Sequence, residues 1–397
     1  MSSPEDNQAP RLSRAASTVR KSVFAALSGR IEARRAAGEP LIPLQIGDTY
    51  LPPVAEAVVA PSAEDLGIYG AIPGLPELRA ELARHRREQG LVTAVGPDNV
   101  HVGCGCTHAL FCAVRAVLDP GDEVLVSSPY WPLFPGLAAS AGASIVEVPL
   151  AARLHDPDFD PRALLEAAVT PRTRALYLIT PNNPGGQVLD PRTLEVCAAF
   201  ARERDLWVFA DEVYADFVYE GEHRSIAALP GMAARTITTF SMSKSHGLAG
   251  ARIGYVIADE PVIAAVRKIS NHTLYNVPVT MQRVALAAQQ HGAAWIDAAR
   301  HHYRAARDAT SEALTAIGIE HRPPAGGSFF FLDLGPRLGS GDLTALLERA
   351  IDHGVLLAPG EAFGEGFERH VRLCFTGVPV EQVLSGVERL GRALEEA

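Results

Sequence analysis

The sequence predicts an α/β protein, with a mostly parallel sheet sandwiched by helices and a smaller α+β region beside it. Three observations carry this. Between residues 100 and 257, short runs rich in Val, Ile and Leu alternate with helical stretches. Several of those runs lack polar alternation, the mark of strands buried on both faces. Beyond about residue 280 the alternation gives way to a long helical stretch and isolated aromatic strands.

In chain order, residues 19–37 read as a helix, stopped by Gly38 and Pro40. Residues 43–47 form a short apolar run ending at a glycine, and 75–89 an amphipathic helix. A strand at 100–103 leads into Gly103-Cys104-Gly105-Cys106-Thr107-His108, and helical periodicity resumes over 109–118. Strands follow at 123–127, 144–149, 175–180, 206–210, 236–240 and 251–257. Between them lie an aromatic loop at 129–134 with a helix to 141, and helices at 160–168 and 191–204. Asp160 with Pro161 is a cap and first-turn pair. The stretch 281–318 is helical with a break at His291-Gly292, followed by strand 328–334, helix 343–353, strand 370–375 and helix 380–394. The division expected is a large domain over 45–285, and a small one built from 1–44 and 286–397 that closes over the site.

The chain has 397 residues, 47% hydrophobic and 21% charged, which excludes a mainly disordered protein. Its net charge of −10, without a long basic run, argues against nucleic acid as a partner. No apolar run approaches the ~18 residues of a membrane span. Five cysteines argue against a disulfide framework and for the reducing cytoplasm. Arg11, Arg14, Arg20 and Lys21 among serines faintly resemble an organelle presequence, but a solvated leader running into the first helix is the expectation.

Four loops at strand ends carry chemistry, the place where open α/β sheets bind ligands. Small residues at 103–108 let backbone N–H groups and a helix start approach an anion. An ordinary turn is one rival; a metal site built from His101, Cys104, Cys106 and His108 is another, which the one-residue gap between the cysteines fits poorly. The segment YLITPNNPGGQ, 177–187, exposes asparagine amides that can donate to a ligand oxygen. In FADEVY, 209–214, Asp211 closes a buried strand and needs a positive partner. In TFSMSKSHGLAGARIGY, 239–255, Lys244 lies among Ser241, Ser243 and Ser245, with Arg252 eight residues on. A desolvated lysine near a cation is a nucleophilic amine able to form a Schiff base. Taken singly, each has a bland reading as a turn, a solvated strand end or a surface lysine.

In combination, the order Asn183, Asp211, Tyr214, Lys244, Arg252 resembles the fold-type-I pyridoxal-phosphate enzymes of the class I/II aminotransferase family. The stretch from Ser241 to Gly254 matches the family's S-x-S-K-x-x-G-x-x-x-x-R-x-G pattern. PG-x-x-FG followed by H-x-R-L, from Pro359 to Leu373, supports it independently, as does Tyr69-Gly70 with 74–79. The resemblance spans about residues 20 to 394. It implies pyridoxal 5'-phosphate as cofactor and no resident metal. Lys244 would bind the cofactor aldehyde as an aldimine and act as general base, and Asp211 would pair with the pyridine nitrogen. Asn183 and Tyr214 would bond the ring's phenolic oxygen, and Trp131 would stack on its face. Gly105, Cys106, Thr107, Ser241, Ser243 and Arg252 would bind the phosphate. Tyr69 would reach the neighbouring subunit's phosphate, implying a homodimer. Arg372 would grip the substrate α-carboxylate as a fork, with Gly47 nearby and Asn183 and Trp131 also touching substrate.

Two departures stand out. The family's N-P-T-G reads Asn183-Pro184-Gly185-Gly186 here, and the phosphate loop carries Cys104, Cys106 and His108, with His108 expected as a helix-start residue. The reaction expected is transfer of an amino group between an L-amino acid and a 2-oxo acid. An aromatic surround of Tyr50, Tyr69 and Trp131, without an assignable second arginine, points to non-acidic side chains. A lyase acting by β-elimination on cysteine conjugates, or other Cα-carbanion chemistry such as a cyclase or decarboxylase, is the alternative on the same fold. A regulator is disfavoured because the stretch before residue 19 is too short for a winged helix.

Overall fold

Seven strands build the central sheet: β1 (Val100–Cys104), β2 (Glu123–Ser127), β3 (Ser144–Val148), β4 (Thr173–Ile179), β5 (Trp207–Asp211), β6 (Thr236–Ser241) and β7 (Ile253–Ile257). The computed structural model describes residues 11–13, 16–17, 19, 27–93 and 95–396. The strand order is β3-β2-β4-β5-β6-β7-β1. Neighbours from β3 to β6 pair parallel, and β7 runs antiparallel to both β6 and β1.

Side chains alternate between two apolar layers, as a period of two requires. Val124, Val126, Tyr177, Phe209 and Ile237 enter one core with the helices Gly105–Val117 and Glu260–Asn271. Leu125, Leu176, Leu178, Val208 and Ala210 enter the other with the helices Pro161–Ala168 and Pro191–Glu203. Asp160 caps the first of these by accepting from the N–H groups of Arg162 and Ala163, with Pro161 in the first turn.

A second, antiparallel sheet has the order β9-β10-β8, from β8 (Phe329–Asp333), β9 (Ala358–Pro359) and β10 (His370–Cys374). Its core takes Tyr303 and Leu314 from the helix Ala293–Ala316, Leu346 from Leu343–Asp352, and Val387 and Leu390 from Val380–Glu395. Leu27, Ile31, Ile42 and Leu44 from the N-terminal part pack into that same core. No helix among the described residues is long and apolar enough to cross a membrane.

Several elements differ from the sequence reading. The first helix is described as Ser28–Ala36; Arg14, Arg20 and Lys21 and the rest of 20–26 lie outside the described residues. The strand expected from 251 begins at Ile253, because Ala249–Ala251 is a tight turn and Arg252 is left-handed, at φ 55°. The helix expected from 109 begins at Gly105, whose φ of 71° lets strand and helix meet without a loop. The helix Glu260–Asn271, capped by Asp259 with a proline in its first turn, was not anticipated.

Candidate active site

Parallel strands deliver several site residues. β5 ends on Asp211, β4 runs into the 180–187 loop, and β6 ends on Ser241 and passes into the single turn Met242–Ser245 that carries Lys244. β1 feeds Gly105 directly.

Lys244 Nζ donates to the backbone oxygen of Gly47. Burial pushes its ammonium down from the usual range, with Asp48 opposing and Arg372 contributing in the same direction. Asp211 is 4% exposed. Its Oδ2 accepts from the Tyr177 hydroxyl at 2.7 Å and its Oδ1 from the Val213 N–H at 3.4 Å. Burial pushes its carboxyl up to about 6, against those hydrogen bonds. Tyr214 is buried, its ring edge-on to Phe329 at 5.9 Å, and burial raises its phenol.

Arg372 projects from β10 into the same region. Its Nη1 donates to Asn183 Oδ1 at 2.8 Å and its Nη2 to the Gln45 carbonyl at 2.6 Å. Its guanidinium lies 4.1 Å from the Phe329 ring centre and 4.9 Å from that of Phe363. It is 9% exposed, and its buried Nε has no partner among the described residues. Burial pulls its pKa down to about 10. A buried cation bonded only to neutral acceptors is a receptor for an anion.

The anion-binding side is a tight cradle. The Gly105 N–H donates to the Arg252 carbonyl at 2.7 Å, and a Cβ at Gly105 would strike the Arg252 guanidinium. Arg252 Nη1 donates to the Ala249 carbonyl at 3.1 Å and reaches Ser243 Oγ at 3.5 Å. Ser241 Oγ accepts from the Ser243 N–H at 3.3 Å. Thr107 is half-buried in the first turn of the helix Gly105–Val117. The Cys106 thiol is pushed up to about 12 by burial and the Asp211 charge, with Lys244, Ser241 and Arg252 acting the other way.

Tyr69 is 84% exposed and touches Tyr275 edge-on at 5.1 Å, on the outer surface of the chain. Trp131 is half-buried against the core on one face of the central sheet. His108 accepts from the Cys104 N–H at 3.3 Å through Nδ1, and its Nε2 lies 3.0 Å from Thr273 Oγ1, so it serves the helix start. Among the described residues no group of three or more His, Cys, Asp or Glu is arranged to hold a metal.

Tyr177 and Asn182, both in the 177–187 segment, shape the site from within, and Asn182 and Asn183 are buried where the sequence reading exposed them. Tyr177 bonds Asp211; both lie in strands, and only the β4–β5 pairing brings them together. Asn182 donates to the Pro129 carbonyl at 3.0 Å and accepts from the Gly185 N–H at 2.8 Å, closing the Asn-Pro-Gly-Gly turn without a threonine hydroxyl.

Residues 39–390 match the family described as aminotransferase class I and II. The arginine–pyruvate transaminase of Pseudomonas aeruginosa is 36% identical over 351 residues, 87% of this chain and 88% of that protein. The aspartate/prephenate aminotransferase of Thermus thermophilus is 35% identical over 401 residues, 97% of this chain and 99% of that one. The solved structure of Thermus thermophilus aspartate aminotransferase with maleate has a TM-score of 0.87 at 32% identity, covering 97% of this chain and 100% of that chain. N-succinyldiaminopimelate aminotransferase from Mycobacterium tuberculosis gives 0.86 at 30%, covering 96% and 100%. This chain belongs to the class I and II aminotransferases, fold-type-I enzymes that exchange an amino group between an amino acid and a 2-oxo acid.

Proposed function

We propose that this chain binds pyridoxal 5'-phosphate and transfers the amino group of a non-acidic L-amino acid to a 2-oxo acid. The donor set fits the cofactor. Asp211 is a buried carboxylate bonded to a hydroxyl and a backbone N–H, and among the described residues no cation pairs with it. A protonated ring nitrogen would supply that charge. The Gly105–Arg252 cradle offers a guanidinium and a helix start to a phosphate, with Cys106, Thr107, Ser241 and Ser243 beside it. Asn183 and Tyr214 are assigned to the ring oxygen and Trp131 to the ring face. When bound, the cofactor supplies an aldehyde to receive the amino group and a cationic ring to accept the electron pair left at Cα.

The observation that carries the reading is Arg372. It is a buried fork bonded to Asn183 and the Gln45 carbonyl, within electrostatic reach of Lys244. A substrate carboxylate gripped there places Cα on the Lys244 side, where the Gly47 carbonyl already meets the amine. Lys244 Nζ would hold the cofactor, and its amine is placed to take the proton from Cα of a substrate gripped by Arg372. Desolvation favours the neutral amine that this step needs. With Arg372 committed to the α-carboxylate, no further cation is assigned to a side-chain carboxylate, which supports a non-acidic substrate.

We assign 45–285 to a large domain and 1–44 with 286–397 to a small one closing over the site, with Lys244 in the first and Arg372 in the second. We assign Tyr69 to the phosphate in the neighbouring subunit's site. Leu66, Ile68, Tyr69 and Tyr275 are exposed, an apolar surface that a homodimer would cover. The five cysteines are free, in keeping with the cytoplasm.

The test is titration of the purified protein, loaded with pyridoxal 5'-phosphate, with a panel of L-amino acids followed by absorbance. A visible band that disappears with a non-acidic amino acid and returns with a 2-oxo acid supports the proposal. Pyruvate and ammonia accumulating with the band intact would make it a lyase. No band at all would overturn the roles given to Lys244 and Asp211.

A further inference from the structure

Tyr214 is bracketed by two buried carboxylates, Glu212 two residues before it and Asp216 two residues after. The Tyr214 hydroxyl hydrogen-bonds to no described residue, so the placement of that phenol depends on its backbone segment and on the Phe329 ring. The segment is held at both ends. Glu212 accepts from Ser225 Oγ at 2.5 Å and lies 3.1 Å from His223 Nε2, and its N–H donates to the Thr239 carbonyl at 3.0 Å.

Asp216 is the more elaborate anchor. Arg86 donates to it through both arms, Nη1 to Oδ1 and Nη2 to Oδ2, each at 3.0 Å. Gln89 Nε2 donates to Oδ1 at 2.8 Å. The Arg86 Nε donates to the Tyr255 hydroxyl in β7 at 2.8 Å, and its guanidinium lies 4.2 Å from the Phe240 ring centre in β6. Arg86 is 2% exposed. Burial alone would raise the Asp216 carboxyl, yet the Arg86 charge and the bonds from Arg86 and Gln89 hold it well below the usual range. One guanidinium thus ties the Tyr214 segment to β6, which ends at Ser241 just before Lys244, and to β7. A buried ion pair is a weak source of stability compared with apolar packing of the same volume, so its use here points to placement.

We infer that Asp216, clamped by Arg86, is a positioning residue that sets the Tyr214 phenol relative to Lys244. The inference rests on the role proposed for Tyr214. It adds a residue whose side chain lies outside the cofactor and substrate contacts.

The test is a double-mutant cycle on the pyridoxal-phosphate-loaded enzyme with Asp216→Asn, Tyr214→Phe and both together. It reads the pH midpoint of the visible band and kcat and KM for one amino acid. In Asp216→Asn the midpoint moves in the same direction as in Tyr214→Phe, and kcat falls about tenfold with KM changed less than about threefold. In the Tyr214→Phe background the same change adds less than about twofold, because the phenol it positions is gone. A full additional loss in that background, or a change in melting temperature with midpoint and kcat unmoved, overturns the inference. If Tyr214→Phe alone moves neither, the role of Tyr214 itself has failed, a distinguishable result. Should Asp216→Asn not fold, Gln89→Met removes one donor from an exposed side chain. It is expected to move the midpoint in the same direction with a loss of about twofold, and no movement would overturn the inference.

Discussion

Arg372 combines two features that rarely coexist: deep burial and the absence, among the described residues, of a carboxylate partner. Its planar fork is held by Asn183 on one arm and the Gln45 carbonyl on the other, between the Phe329 and Phe363 rings. A lysine there keeps the charge and loses the fork. Arg372→Lys should lower kcat/KM for amino acids about a hundredfold while leaving the visible band of the loaded enzyme in place, measured by steady-state kinetics and absorbance. Asp211 makes a prediction about stability. Its carboxyl is raised from 3.8 to about 6 in the folded chain. The folded state therefore binds the proton more tightly, and that stabilisation, complete below pH ~4, is lost as pH rises through ~6. Two pKa units correspond to ~3 kcal/mol. In cofactor-free protein, urea unfolding should show wild type losing about that much between pH 4 and 7 relative to Asp211→Asn; equal pH dependence of the two would refute it. The motifs marked Asp211, Lys244 and Arg372, because their chemistry is local to a few letters. Tyr177 and Asp216 went unmarked, because each matters only through a partner on another strand or helix.

Elements bring these residues to one end of the sheet by ending where they do. β1 and β7 are the case with least room. Gly254 in β7 lies opposite Gly103 in β1, and a Cβ at Gly254 would strike the Cys106 backbone nitrogen at the start of the helix Gly105–Val117. Gly254→Ala should push that helix start outward and weaken cofactor retention about tenfold or more, read by equilibrium dialysis of pyridoxal 5'-phosphate, with far-ultraviolet circular dichroism unchanged. Retention equal to wild type would show that the cradle does not depend on this contact. At this scale the strands were largely legible, since short apolar runs between turn residues mark them. The start of β7 was not, because a left-handed arginine at 252 is set by what it grips and has no signature in propensity. The start of the helix at Gly105 was missed for a related reason: Gly105 is buried but has no side chain, so apolar periodicity shows only from Ala109 onward.

At the scale of the whole molecule, Tyr69 is 84% exposed, with Leu66, Ile68 and Tyr275 also exposed, and the proposed homodimer would cover them. If Tyr69 completes the partner's site, an inactive Lys244→Ala chain and a Tyr69→Ala chain should complement. Their heterodimer has one site with both residues intact. Mixing equal amounts through a dissociation and reassociation step should restore roughly a quarter of wild-type sites, counted by single-turnover absorbance. No recovery beyond the sum of the parents would exclude shared sites. The composition and the alternation of apolar runs were enough to specify an α/β architecture, and the motifs from Phe209 to Tyr214 and from Ser241 to Gly254 carried the family resemblance that proposes Lys244 and Asp211 for the site. They suffice because period and motif are properties of neighbouring residues. The contacts that folding alone creates are of another kind. Arg372 meets Asn183 across 189 residues, Lys244 meets Gly47 across 197, and Arg86 meets Asp216 across 130. Strand register and burial set such distances, and with them the desolvation that lowers Lys244 and raises Asp211.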